Sequence, residues 1–164
     1  MPLVLRLTIG PDLREARMRA QDIMTKDPTT VTADASLLEA ARVMKDEDVG
    51  VVPVVEGKEK KRVVGIITDR DIAIRCVAAG RDAKQCRVGE IMSSGVKTIR
   101  ESDSVDETLS VMAREQVRRI PVVDEQGNLV GIISQADVAL EAGQAEDVEA
   151  TVEKISRPGG KHTQ

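Results

Sequence analysis

Val64-Gly65-Ile66-Ile67-Thr68-Asp69-Arg70-Asp71-Ile72 returns later in the chain as Val130-Gly131-Ile132-Ile133-Ser134-Gln135-Ala136-Asp137-Val138. In each copy a β-branched run ends on a hydroxyl residue, and an acid follows three positions on. That reads as a buried strand running directly into a helix. The likeness extends outward from there. Residues 22–53 lie over 90–121 without a gap, so that Ile23-Met24 falls on Ile91-Met92 and Val43-Met44 on Val111-Met112. Pro53-Val54-Val55 likewise falls on Pro121-Val122-Val123, and a two-residue slip then separates this block from the opening stretch. A duplicated unit of this length predicts two like halves related by a pseudo-two-fold axis, with any ligand site at the axis present twice.

Each copy has the same internal order. The first reads as a short strand at 30–32, a helix at 36–47, β-branched runs at 50–55 and 62–68, and a second helix opening at Asp69. The second copy repeats the runs at 118–123 and 128–134 and opens its helix at Gln135. Ser36 with Glu39, and Ser104 with Glu107, fit capping boxes, in which hydroxyl and carboxylate satisfy free amides of the first turn. Leu37, Ala41 and Met44 form one helical stripe, matched by Val105, Leu109 and Met112. The expectation is an α/β fold of two β-α-β-β-α repeats. By number, 1–19 is an N-terminal extension, 20–79 the first repeat, 80–87 a linker, 88–141 the second repeat and 142–164 a polar tail. Short helices are predicted at 14–19 and 146–155, with the last residues disordered.

Composition removes several function classes. Lys+Arg 24 against Asp+Glu 28 leaves a net charge of −4, without the basic stripe that nucleic-acid binding usually needs. The chain has no Phe, Tyr or Trp, so bases cannot stack on aromatic rings, and any bound purine must lie between aliphatic or methionine side chains. Apolar runs are short and interrupted, which predicts no membrane span. The apolar start, residues 1–9, carries Arg6 and lacks the layout of a signal peptide. Cys76 and Cys86 are the only cysteines and form neither a metal-ligand nor a redox motif, the pattern of free thiols in a cytoplasmic protein. His162 is the only histidine and lies in the tail, so the core has no histidine base or His-ligated metal. There is no phosphate loop and no Gly-x-Gly-x-x-Gly. The chain reads as a non-enzyme.

The residues that draw notice are Thr68 with Asp71, and Ser134 with Asp137, each pair sitting where a strand hands over to a helix. Thr-x-x-Asp is itself a capping box. The same geometry also suits a ligand: a helix start offers free amides to phosphate, and a carboxylate one turn further can accept both hydrogens of a ribose diol. Local sequence leaves both roles open.

From about Asp22 to Leu140 the chain resembles a tandem pair of cystathionine-β-synthase (CBS) domains, the arrangement called a Bateman module. The resemblance is carried by Asp22-Ile23-Met24-Thr25, Val52-Pro53-Val54-Val55 and Gly65-Ile66-Ile67-Thr68-Asp69-Arg70-Asp71-Ile72 in the first copy. Glu90-Ile91-Met92, Arg119-Ile120-Pro121-Val122-Val123-Asp124 and Gly131-Ile132-Ile133-Ser134-Gln135-Ala136-Asp137-Val138 carry it in the second. It implies two halves packed through their sheets, with clefts that hold an adenosine-containing ligand. AMP, ADP or ATP come first, S-adenosylmethionine and NAD after them, and no resident cofactor is required. By position it makes Asp71 and Asp137 the ribose acids, and Thr68 and Ser134 the adjacent hydroxyls. Val31 and Ile99 become linings of the adenine pocket, and Pro53 and Pro121 its apolar wall. Arg118 and Arg119 occupy a strand start where some members hold phosphate; the first copy has Gly50 and Val51 there, with Arg70 as its only compensation. Two unequal sites are therefore expected.

The function so implied is regulatory: a stand-alone module acting in trans on a partner protein, without nucleic acid or membrane. A homodimer is expected, through helix stripes such as Ala40, Val43 and Met44 unless those residues are simple core. The competing reading is a structural or interaction protein whose clefts are degenerate and empty.

Overall fold

The computed structural model describes residues 18–141. The helix expected at 146–155 lies outside these residues, as does most of the one expected at 14–19. Arg19, at the latter's end, is extended (φ −110°, ψ 163°) and serves as N-cap to α1 (Ala20–Ile23). After α1 the chain forms β1 (Thr25–Lys26), β2 (Val31–Thr32), α2 (Leu37–Asp46), β3 (Val51–Val55) and β4 (Val63–Thr68). Helix α3 (Asp69–Asp71) continues through Ile72–Val77 in wider π-helical turns, where the Ala78 N–H donates to Ala73 O at 2.9 Å. The second copy gives α4 (Val88–Ile91), β5 (Ser93–Ser94), β6 (Ile99–Arg100), α5 (Val105–Glu115), β7 (Arg119–Val123), β8 (Leu129–Ser134) and α6 (Gln135–Glu141).

Helices α2, α3, α5 and α6 begin where the sequence says, whereas α1 and α4 were not anticipated. Glu39 N–H donates to Ser36 Oγ at 3.2 Å, and Ser36 N–H donates back to the Glu39 carboxylate at 2.8 Å. At Ser104 only the first half of the box forms, Glu107 N–H to Ser104 Oγ at 3.1 Å. Within each copy the β-branched runs pair as an antiparallel hairpin, Pro53 opposite Ile66 and Pro121 opposite Ile132. The short first strands add in parallel, Val31 opposite Val54 and Ile99 opposite Val122.

Each sheet then gains a strand that the repeat pattern does not announce. The sheets run β2-β3-β4-β5 and β1-β8-β7-β6, so β1 and β5 have exchanged halves. Thr25 pairs with Ile132 and Ser94 with Gly65, both antiparallel. The exchange extends to the cores. Ala20 and Ile23 pack with Val105, Leu109 and Met112, whereas Cys86, Val88 and Ile91 pack with Leu37, Ala40 and Met44. Backbone bonds fix the arrangement: Ala20 N–H to Asp103 O at 2.8 Å, and Val88 N–H to Ala35 O at 2.9 Å. The numbered repeats are therefore units of sequence, and each half in space borrows the start of the other repeat. Separating the halves requires stripping both cores, which couples them mechanically.

Both faces of β3 are buried. Val52 and Val54 face the helices of their own half, leaving Val51, Pro53 and Val55 on the opposite face. Cys76 and Cys86 are both free and buried in that same core. Ala40 and Met44, at 0% and 7% exposure, are core rather than interface. The large apolar side chains left outside include Ile74 and Leu140, at 50% and 82% exposure, which occupy matching positions in the two copies.

Candidate functional site

A cleft of about 400 Å³ opens between the two halves. The first copy supplies the crossing segment 25–29, the end of α2 and its following turn, and Val51 and Pro53 of β3; the second supplies Arg119, Ile132, Ser134 and Asp137. Thr25 and Lys26 reach the cleft because β1 lies along β8. The turn at Asp27 takes a left-handed conformation (φ 46°), as does Asp48 (φ 52°) at the end of α2, and these two turns bend the backbone around the rim. Left-handed backbone is tolerated by Asp better than by most residues. Thr29 Oγ1 donates to the Glu47 carboxylate at 3.3 Å, and Lys61 lies 3.9 Å from the exposed Asp27.

Ser134 and Asp137 form the box that the sequence pattern announces. Ser134 N–H and Oγ–H both donate to Asp137 Oδ2, at 2.7 and 2.8 Å, and Asp137 N–H donates to Ser134 Oγ at 3.2 Å. All of this uses one carboxylate oxygen. Asp137 Oδ1 has no partner among the described residues, on a side chain that lines the cleft. Capping and ligand binding are therefore compatible here, one oxygen for each.

The two-fold mate of this cleft is far smaller, about 70 Å³. Its lining consists of repeat counterparts of the first: Ile66 for Ile132, 94–97 for 26–29, Glu115 for Glu47, Val117 for Val49 and Arg119 for Val51. Thr68 and Asp71 make the same box, with Thr68 Oγ–H donating to Asp71 Oδ2 at 2.8 Å, but neither lines the small cleft. Asp71 Oδ1 instead sits 3.6 Å from Arg75 Nε.

Of the residues singled out from sequence, the structure gathers Pro53, Arg119, Ser134 and Asp137 around the large cleft. Thr68, 4% exposed, and Asp71 meet each other outside it. Pro121 is buried on β7 opposite Ile132 and is not among the lining. Val31 is buried in the first half's core, and Ile99 in the second's, bordering an outer groove rather than either cleft. Parallel pairing onto β3 and β7 turns these two side chains inward, which is why they do not line the space between the halves. Arg118 is exposed, with its carbonyl taking the Gln135 N–H at 3.1 Å; Arg70 is exposed beside Asp69. Neither lines a cleft. Val43, named as a dimer contact, lines the large cleft instead.

Sequence reasoning passed over Thr25, Lys26, Asp27, Thr29, Glu47 and Asp48, all in the cleft wall. Nothing in a two-residue strand reveals that it crosses to the other half. Among the described residues no group of three or more His, Cys, Asp or Glu side chains is placed to hold a metal ion, and no helix is long and apolar enough to cross a membrane.

The family model described as the CBS domain matches residues 20–77 and 88–142. CBS domain-containing protein YhcV of Bacillus subtilis is 40% identical over 136 residues, 83% of this chain and 94% of that one. Hypoxic response protein 1 of Mycobacterium tuberculosis is 38% identical over 120 residues, 73% of this chain and 82% of that one. A crystal structure of Hypoxic Response Protein I with two coordinated zinc ions superposes with a TM-score of 0.68 at 38% identity, over 76% of this chain and 98% of that chain. The CBS domain pair of protein MJ0100, in complex with 5'-methylthioadenosine and S-adenosylmethionine, gives 0.65 at 30% identity, over 74% of this chain and 97% of that one.

Proposed function

The chain belongs to the CBS-domain family, carrying the domain twice, and from that premise we propose that it is a non-catalytic regulatory module whose large cleft takes an adenosine-containing ligand. One observation carries the reading: Asp137 spends a single oxygen on its cap, and its other oxygen, without a partner among the described residues, belongs to a side chain that lines a 400 Å³ space between the halves. That volume lies in the range of small-molecule sites, roughly 300–1,000 Å³. A ribose diol donating both hydrogens to Oδ1 would complete the acid, with the base held against Val51, Pro53 and Ile132 in place of aromatic rings. The complex of the MJ0100 pair with two adenosine compounds supports the ligand class.

Charge narrows the class. The cleft wall holds Lys26 and Arg119 against Asp27, Glu47, Asp48 and Asp137. Two cations facing four carboxylates suit a nucleoside with at most one phosphate, or a sulfonium, and repel a triphosphate tail. AMP and S-adenosylmethionine are therefore preferred over ATP and NAD.

Because the ligand touches both halves, it acts on a partner protein in trans by favouring one relative orientation of them, to the extent of its differential affinity. Ile74 and Leu140, apolar and exposed at matching positions, are the contacts we assign to a homodimer in place of the buried stripe. Light scattering of Ile74→Glu should then report a monomer.

The test is a thermal melt and titration with AMP, S-adenosylmethionine, ATP and NAD, on the native chain and on Asp137→Asn. A ligand that binds only the folded state adds about 2.7 kcal/mol at one hundred times its Kd. The amide keeps an acceptor for the cap and removes the charge, so affinity should fall roughly 10- to 150-fold, the worth of a charged hydrogen bond. Flat melts with all four compounds would replace this reading by an empty scaffold, and undiminished affinity in Asp137→Asn would remove Asp137 from the site.

A further inference from the structure

We propose that Arg75 withholds Asp71 from a second ligand, so that a fold with two symmetry-related sites takes a single nucleoside; this rests on the reading of Asp137 given above. The two acids use their Oδ2 atoms identically, each accepting from the hydroxyl three residues before it at 2.8 Å. Their other oxygens differ. Asp71 Oδ1 faces Arg75 Nε at 3.6 Å, whereas Asp137 Oδ1 has no partner among the described residues.

Arg75 also makes a second contact. Its Nη1 donates to Ile91 O at 2.8 Å, at the end of α4, just before the chain enters β5. One guanidinium therefore fastens the acid to the root of the crossing strand, and the following residues, 94–97, form the wall of the small cleft. The Asp71 side chain is left 13% exposed. A ribose diol reaching for Asp71 would have to displace an ion pair, and moving Arg75 aside would leave the Ile91 carbonyl without its donor. In the second copy the position matching Arg75 is Glu141, whose charge cannot form such a pair with Asp137. Besides Val51 against Arg119 in the cleft walls, the duplicated sites thus diverge at a residue beyond the motif they share.

The Arg75 side chain is about half exposed, at 51%, so its guanidinium can be removed without opening the core. Titration calorimetry with AMP, on the native chain, Arg75→Met and Arg75→Met/Asp71→Asn, tests the proposal, with far-UV circular dichroism checking that each folds. The methionine keeps the aliphatic stem. The native chain should bind one equivalent, Arg75→Met two, and the double variant one again. One equivalent in Arg75→Met, alongside loss of binding in Asp137→Asn, would end this inference while leaving the large-cleft reading intact. Two equivalents in the native chain would also overturn it. No binding of AMP or, on repeating the titration, of S-adenosylmethionine by either the native chain or Arg75→Met would remove the underlying reading and this inference with it.

Discussion

Replacing Gly65 and Gly131 by alanine should separate the two crossing strands energetically, although the glycines are repeat counterparts. Each lies where a crossing strand passes, Gly65 opposite Ser94 and Gly131 opposite Lys26. A methyl on Gly65 would stand 2.7 Å from Ser93 O and 2.8 Å from Met92 Sδ. On Gly131 the three nearest atoms would all be side-chain atoms of Met24: Sδ, Cγ at 2.7 Å and Cβ at 3.0 Å. A backbone carbonyl in a paired strand cannot rotate aside, whereas the Cγ and Sδ of a methionine can swing away about its side-chain torsions, leaving only Cβ at the edge of contact. Overpacking costs about 1–3 kcal/mol, offset by about 0.4–1 kcal/mol because alanine narrows the unfolded ensemble. We expect a net loss of about 2 kcal/mol for Gly65→Ala and about 1 kcal/mol or less for Gly131→Ala. The assay is urea unfolding followed by far-UV circular dichroism, since the chain has no aromatic ring to report by fluorescence. Double-mutant cycles sharpen it: Met24→Ala should relieve most of the Gly131→Ala penalty, whereas Met92→Ala leaves the Ser93 carbonyl in the way. Equal losses at the two glycines, or complete relief of Gly65→Ala by Met92→Ala, would refute the reasoning. Residual strain at Gly131 would fall on β1, which carries Thr25 and Lys26 into the large cleft, so Gly131→Ala should also weaken AMP binding more than Gly65→Ala does.

Acid should destabilise the fold through three carboxyl groups. Backbone donation from Ser36 holds Glu39 below its usual 4.5, donation from Arg87 and then the Arg81 side chain holds Glu90 below 4.5, and donation from Asn128 holds Asp124 below 3.8. With folded values depressed, their stabilisation is complete above the unfolded values and is lost as pH falls through them toward the folded ones. Urea midpoints should accordingly be unchanged by these groups between pH 7 and 6 and decline below about pH 4.5, less steeply in Glu90→Gln. A second expectation concerns the thiols. Burial, and then hydrogen bonding with Cys86, push the Cys76 thiol up, so it should resist a disulfide reagent at pH 8 in the native chain and react promptly in urea. Rapid native labelling at Cys76 would contradict its buried placement.

How much of this was legible follows from the range of each interaction. Capping boxes at Ser36, Thr68 and Ser134 are contacts across three residues, so the letters alone announce them. The hairpins were equally plain, because dense Val and Ile runs separated by short polar turns have few other ways to bury themselves. The duplication fixed the pseudo-symmetry and the repeated placement of Asp71 and Asp137. Proximity between distant segments was another matter. The family resemblance places Val31 and Ile99 at a ligand pocket, whereas parallel pairing directs their side chains into the cores. Lys26 and Glu47 were passed over because nothing local tells which half a two-residue strand will join.

By itself the sequence determined the longer helices and the hairpin strands, where they begin, and that they form twice, since these depend on periodicity and on bonds between near neighbours. Only the tertiary structure decided that β1 and β5 change places, that the large cleft therefore draws its walls from both repeats, and that Arg75 reaches Asp71 and Ile91 together. The physical reason is that a strand's partner and a carboxylate's second oxygen are settled by what the folded chain brings within about 3 Å, and sequence neighbours do not specify that.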